Sequence, residues 1–308
     1  MIIVAGSINL DLIARVERLP SPGETVSGFA YAQAPGGKGA NQALAAARAG
    51  ASVSMVGATG DDTNASAATQ LLAAGDVDLA GVATANQPTG VALILVDETT
   101  GENQIAVVPG ANGTVKVGDL PSAASALLVQ MEIPDTATEG FIEAANERGV
   151  PVIFNPAPFR ASAATFIQKA DVTIVNETEF DLLAKAMKIG MPAEAEHMTQ
   201  ERVRIAKGRE LIARTGKTLI ITLGPAGALA LSPTEELQAV PPKIEAVDTV
   251  GAGDTFCGYF TGAFAHGKSL ADCVDIAVVA GALACLKEGA QPSIPTMDKV
   301  MIARGKSD

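Results

Sequence analysis

The chain has 308 residues, 48% hydrophobic and 18% charged, which suits a globular protein with a large core. Its 34 acidic and 22 basic residues give a formal net charge of −12. That balance argues against nucleic acid or an anionic membrane as partner, because both require a basic face, but it permits a small anionic ligand held by backbone N–H groups.

The first element is the short apolar run from Ile2 to Gly6, which predicts a buried strand. The Ala-rich stretch KGANQALAAARAG, Lys38 to Gly50, predicts a helix closed by glycine. SVSMVGATG predicts a second buried strand, followed by a helix over 61–74. Further strands are expected at 126–131, 151–155, 171–176 and 218–224, with helices at 135–148, 162–169, 177–187 and 199–215 between them. Two more helices, over 253–266 and 269–287, close the chain. This alternation predicts an α/β fold, a mainly parallel central sheet with helices on both faces.

Two stretches break the alternation. Residues 10–34 show no helical period, and 89–109 read as two strands around a turn at 98–102. Together they predict a small antiparallel sheet inserted in the larger unit, serving as a lid over a cleft or as a dimer surface. The expected division is a large domain of 1–9, 35–88 and 110–308, and a β lid of 10–34 and 89–109.

Ligands of an open parallel sheet bind beyond the carboxyl ends of its strands. Asn9 and Asp11 follow the first strand and alternate with apolar residues, an arrangement that suits the vicinal hydroxyls of a sugar or plain turn chemistry. In PGGKGANQ, three glycines surround Lys38 and precede Asn41, so backbone can approach a ligand closely, although the loop is not a Walker A motif. Glu132 ends another strand, as a site residue or a solvated one. Asn176 and Glu179 either cap a helix or hold water around Mg²⁺. Thr222, Gly224 and Gly227 form a turn that a nucleotide phosphate could approach.

Cys257, Cys273 and Cys285 match no metal or disulfide spacing and read as buried apolar side chains, which with no signal peptide points to the cytoplasm. With only His197 and His266, both read as structural, a His-centred nucleophile or a three-His zinc site is nearly excluded. The longest apolar run, Ile276 to Leu286, is well short of the roughly 18 residues that span a bilayer.

The stretch Gly251-Ala252-Gly253-Asp254 opens the helix DTFCGYFTGAF. Unpaired N–H groups there converge on an anion, with one carboxylate at the lip. Phe256 occupies the last glycine's place of a dinucleotide motif, so a nicotinamide dehydrogenase is a poor reading. GSINLD, PGGKGANQA, the GEN of GENQIAVVPGAN, QMEIP, NPAP, NETE, ITLGPAG, VDTVGAGDTF and KEGAQPS occur in one order along nearly the whole chain. In these motifs the chain resembles the ribokinase-like (PfkB) carbohydrate kinase family.

The resemblance implies an ATP-dependent phosphotransferase with an alcohol acceptor, D-ribose first, phosphorylated at its 5-hydroxyl. It implies Asp254 as catalytic base and the backbone of Ala252 and Gly253, after Gly251, as anion hole. It places Asn9, Asp11, Gly37, Lys38, Asn41 and Glu132 around the sugar. It places Asn176, Thr222, Gly224 and Gly227 at ATP, with Glu179 acting through Mg²⁺ and water. It implies a K⁺ cage of Asp248 and Ser293 with backbone oxygens of Val250, Ala284, Lys287 and Gly289, and a homodimer joined through the lid. The chain departs from the pattern at Val278, where some members place a histidine near the adenine, and in the segment 184–204, to which no role is assigned. Other acceptors in the same fold are fructose, deoxyribose or a nucleoside; a nucleoside needs apolar or aromatic surface for its base, and the lid offers only Phe29 and Tyr31. A binding protein without catalysis would not need Asp254.

Overall fold

A computed structural model describes residues 1–118, 120–192 and 195–305. Thirteen strands alternate with helices among these residues: β1 (Ile2–Ala5), β2 (Asn9–Val16), β3 (Gly28–Gly36), α1 (Lys38–Arg48), β4 (Val53–Gly60), α2 (Thr63–Ala74), β5 (Asp78–Ala85), β6 (Gly90–Asp97), β7 (Asn103–Val108), β8 (Ala126–Val129), α3 (Asp135–Glu147), β9 (Val152–Phe154), α4 (Ala163–Phe166), β10 (Val172–Asn176), α5 (Glu177–Ala186), α6 (Gln200–Thr215), β11 (Thr218–Thr222), β12 (Ala228–Leu231), β13 (Glu236–Ala239), α7 (Ala252–Ala265), α8 (Leu270–Ala284), α9 (Ala290–Ser293) and α10 (Met297–Arg304).

Nine strands form one sheet in the order β13-β12-β11-β10-β9-β8-β1-β4-β5. Every pairing from β11 to β5 is parallel, and only β11–β12 and β12–β13 are antiparallel. Central strands such as β1, β8 and β9 are buried throughout, as helices on both faces of a parallel sheet require. Two apolar clusters fill the space on the two faces, one holding Val4, Tyr259 and Ile276, the other Ile3, Phe141 and Phe180.

The remaining four strands make a separate sheet, β3-β2-β6-β7. It is mixed rather than antiparallel as expected. β2 pairs with β3 and β6 with β7 in antiparallel hairpin fashion, but β2 and β6 run parallel from Asn9↔Gly90 to Val16↔Asp97. The chain between them crosses the large domain through α1, β4, α2 and β5, and such a long crossover returns a strand in the same direction.

The segment 184–204 closes α5, passes through positions 193 and 194, which lie outside the described residues, and enters α6 with Thr199 as its cap. Arg204 there pairs with Glu177 at 2.7 Å. All three cysteines are free and buried, and His266 ends α7 with Nδ1 on Gly262 O at 2.7 Å. Among the described residues no helix is long and apolar enough to cross a membrane.

Candidate active site

The large sheet presents its functional residues in two groups, set by strand order. β1 and β8 are neighbours, so Asn9 and Asp11, beyond β1, come near Glu132, beyond β8. β10 and β11 are neighbours on the other side of β9, and their last paired residues are Asn176 and Thr222. The N-terminus of α7 brings Asp254 against Asn41 of α1.

On the first side, Lys38 N–H donates to Glu132 Oε2 at 2.9 Å, and Ser7 Oγ donates to the same oxygen. Gly39 N–H donates to Ser7 Oγ at 3.3 Å. The buried Asn9 side chain accepts from Asn112 Nδ2 at 2.7 Å, while Asn112 Oδ1 receives Ile8 N–H at 2.9 Å. A Cβ on Gly36 would overlap the Asp11 carboxylate at 2.3 Å, so only glycine lets that carboxyl lie against the loop. Burial, helped by the negative charges of Glu132 and Asp254, pushes the Asp11 carboxyl up to about 7. Lys38 is held charged, first by Asp254 and then by Glu132 and Glu179, against the opposing effect of burial.

Asp254 is 8% exposed, in the first turn of α7. Asn41 Nδ2 donates to its Oδ2 and Gln42 Nε2 to its Oδ1, each at 2.9 Å. Both donors come from α1, which crosses α7 closely enough that a Cβ on Gly258 would lie 2.4 Å from Ala45 Cβ. Asn41 Oδ1 is buried with no partner among the described residues, so a ligand hydroxyl is its natural donor. Gly251 precedes the helix at φ 77, and a Cβ there would meet Ala290 at 2.8 Å. Ala252 N–H makes one long bond, 3.3 Å, to Thr249 O, while the Gly253 and Asp254 amides have no partner among the described residues. These amides form the mouth of a 14-residue helix, where a negative group is favoured.

On the second side, Asn176 and Glu179 form a capping box: Glu179 N–H donates to Asn176 Oδ1 at 2.8 Å, and Asn176 N–H to Glu179 Oε2 at 2.9 Å. The two roles expected of this pair are therefore compatible, since capping leaves Glu179 Oε1 uncommitted. Burial raises the Glu179 carboxyl, and nearby Asp254 adds to the effect. Thr222 Oγ1 donates to Val175 O at 3.3 Å. Gly224 to Gly227 turn tightly, with Leu223 N–H donating to Gly227 O at 2.7 Å. Val278 is buried within α8.

The loop before α7 and the turns after α8 also meet. Asp248 Oδ1 accepts from Val250 N–H at 3.0 Å and Oδ2 from Gly289 N–H at 2.8 Å. Ser293 Oγ donates to Ala290 O at 2.8 Å, and Ala284 ends α8 just before these turns. Three residues that carry the site's architecture were not singled out in the sequence: Gln42, Gln130 and Asn155, all buried. Their signal was polarity inside otherwise apolar context, most visibly the single Gln that precedes the Ala run of α1.

The pfkB family carbohydrate kinase model matches residues 1–297. A ribokinase of Schizosaccharomyces pombe is 37% identical over 313 aligned positions, covering 97% of this chain and 96% of that protein. A deoxyribokinase of Salmonella typhimurium is 31% identical, over 97% and 96% of the two chains. The solved structure of an Arabidopsis thaliana ribokinase complexed with ribose and ATP superposes with a TM-score of 0.85 at 31% identity, over 98% of each chain. Two groups of polar residues at the sheet edge, with one helix mouth against the first, are thus accompanied by similarity along the whole chain, and this protein belongs to the pfkB family of carbohydrate kinases.

Proposed function

We propose that the chain transfers the γ-phosphoryl group of ATP to the 5-hydroxyl of D-ribose. The observation that carries this reading is Asp254, held at the mouth of α7 beside free amides and beside the unpartnered acceptor of Asn41. The sugar's vicinal hydroxyls bind between Asn9, Asp11, Gly37, Lys38, Asn41 and Glu132. Its 5-hydroxyl attacks the γ-phosphorus: the new O–P bond forms, the P–O bond to ADP breaks, and the hydroxyl proton passes to the Asp254 carboxylate. The transition state spreads charge over the phosphoryl oxygens, where the amides of Ala252 and Gly253 and the cation of Lys38 oppose it. Asn176, Thr222, Gly224 and Gly227 cradle the nucleotide. Glu179 would hold Mg²⁺ through water by its carboxylate oxygen, and the ion would supply charge neutralisation at the phosphates.

A small sugar fits better than a nucleoside. Asp11 stands opposite Ala34 and Ala92 in the lid sheet, so by strand alternation its face carries Ala30, Ala32, Ala34 and Ile94, whereas Tyr31 stands opposite Ala14 on the reverse face. The face toward the site therefore lacks the aromatic surface that a base would stack on. A panel of pentoses, hexoses and nucleosides with ATP and Mg²⁺, read by ADP release, tests the assignment. Highest kcat/KM for any acceptor other than ribose overturns it.

Asp11 makes sugar affinity depend on pH. A carboxyl raised to about 7 is partly protonated near neutrality, and only its ionised form accepts two hydroxyl protons. Apparent affinity for ribose is expected to weaken about tenfold from about pH 8 to about pH 6, and Asp11→Asn to flatten that dependence. Calorimetric titration at several pH values measures it. Without sugar, the same raised carboxyl takes up protons in the folded state that the unfolded chain releases. Its contribution to stability therefore falls as pH rises from about 4 to about 7.

The oxygens of Asp248, Ser293 and the carbonyls of Val250, Ala284, Lys287 and Gly289 are an all-oxygen donor set, which fits a hard monovalent cation such as K⁺. Its charge would steady the loop that carries Gly251 to Asp254. Replacing K⁺ by a large organic cation is expected to lower kcat severalfold; equal rates in both salts exclude a functional cage.

The four-stranded sheet is the lid over this cleft. Phe29 (63% exposed) and Tyr31 (65%), with Leu93 and Val108 on the reverse face of the sheet, give it apolar surface suited to a second copy of the chain. A monomer mass by light scattering at micromolar concentration would exclude that homodimer.

A further inference from the structure

We propose that Gln42 is a positioning residue for phosphoryl transfer, the hub of a buried amide relay that fixes the Asp254 carboxylate from within the protein. The relay begins on a backbone carbonyl. Ile174 O in β10 accepts from Asn155 Nδ2 at 2.9 Å. A carbonyl can only accept, so this bond sets which way the Asn155 amide faces. Asn155 Oδ1 must then accept, and it does so from Gln42 Nε2 at 3.0 Å. The second N–H of that nitrogen goes to Asp254 Oδ1 at 2.9 Å, and Gln42 Oε1 accepts from Gln130 Nε2 at 2.7 Å. All polar atoms of Gln42 are used, and Gln42 and Gln130 have no exposed surface.

The polarity is therefore dictated from Ile174 O through Asn155 to Gln42. A flipped Gln42 would set its oxygen against both Asp254 Oδ1 and Asn155 Oδ1. In a dry interior such a mismatch is expensive, so one arrangement is favoured. The consequence is a carboxylate with one oxygen fixed by Gln42 and the other by Asn41. Asn41 is also a candidate sugar ligand, but Gln42 has no free atom to offer a ligand. Its contribution acts through Asp254. β9, whose end carries Asn155, lies between the strands of the sugar side and those of the nucleotide side. Ile174 stands two residues before Asn176, so the relay references the base to the strand that leads to the nucleotide.

This inference rests on Asp254 as the base, so Asp254→Asn is measured alongside. The test variant is Gln42→Glu, which keeps shape and removes one amide nitrogen. The ionisable groups facing Asp254 are Lys38 from α1, Asp11 from β2 and Glu179 from α5, with Cys257 on α7 itself. They stay in place in the variant, so the difference from the parent profile reports position 42. A misplaced base is expected to lower kcat about 10- to 100-fold while ribose KM stays within about threefold. The added carboxyl against Asp254 resists a second negative charge, so the acid limb of the kcat profile moves to higher pH by about one unit or more.

Unchanged kcat in Gln42→Glu, with Asp254→Asn inactive, overturns the positioning role and leaves the base intact. A fall in kcat with an unmoved acid limb also overturns it, because a merely structural defect would give that result. Near-parental kcat in Asp254→Asn defeats the base assignment itself. Should Gln42→Glu fail to fold, Asn155→Ser removes the acceptor that orients Gln42; it is expected to lower kcat about 3- to 10-fold at unchanged KM, and unaltered kcat there overturns the proposal.

Discussion

Asp254→Asn is expected to fold, to bind ribose, and to lose about 10²- to 10⁴-fold in kcat. The amide is isosteric, so α7 and the Gly253 N–H at its mouth keep their places. It cannot take the 5-hydroxyl proton, and one of its ends now presents N–H to Asn41 or Gln42, which are donors themselves. The variant therefore loses proton acceptance and gains a repulsive contact. Steady-state kinetics with calorimetric ribose binding separates the two. A variant with near-normal turnover would show that the proton leaves by another route. One that neither binds sugar nor unfolds at the parental temperature would show that the loss is structural.

Gly258→Ala is expected to destabilise the protein by about 1–3 kcal/mol and to reduce kcat as well. At an open helical position this substitution would stabilise by up to about 1 kcal/mol, because alanine is the better helix former. Here the added Cβ would lie 2.4 Å from Ala45 Cβ, 2.5 Å from Gln42 O and 2.8 Å from Ala46 N. Two of these are backbone atoms of α1 that cannot swing aside, so overlap outweighs propensity. Gly258 follows Asp254 by one helical turn on the same face. Moving α1 away from Gly258 lengthens the bonds that Asn41 and Gln42 make to the carboxylate. Thermal unfolding with kinetics at matched temperature reads both effects. A raised melting temperature with full activity would show that the helices separate at no consequence to the site.

The contrast with Gly253 illustrates how differently two glycines of one helix are used. A Cβ at Gly253 meets nothing within 4 Å. Its glycine borders open space at the helix mouth, whereas Gly258 lets backbone meet backbone inside the molecule. The sequence shows two glycines in one apolar helix and offers no sign of this division.

Much of the chain was readable from local pattern. The βα units from β1 to α7 fall within a few residues of their expected positions because apolar periodicity, caps and glycine stops are short-range signals. The capping of α5 by Asn176 and of α6 by Thr199 is local in the same sense. Elements held mainly by tertiary pairing escaped. β5, with five of its eight residues exposed, and the antiparallel strands β12 and β13 were not expected, nor were α9 and α10. The parallel β2–β6 pairing joins segments that look like two independent hairpins when read along the chain.

The candidate site divides in the same way. Asp254, the glycines before it and the polar residues after β1, β8 and β10 could be picked out because each stands at the end of a strand or the start of a helix. Gln42, Gln130 and Asn155 could not, since an amide in an apolar stretch gives no hint of its partner. The amino-acid order alone determined the alternating α/β architecture, the inserted β segments and the glycine-flanked start of α7, all written in contacts within a few residues. Only the tertiary structure decided that α1 lies close enough on α7 for Asn41 and Gln42 to grip Asp254, and that β10 anchors them through Asn155. Those bonds join residues up to about two hundred positions apart, and their existence depends on strand order and helix approach, which no local preference encodes.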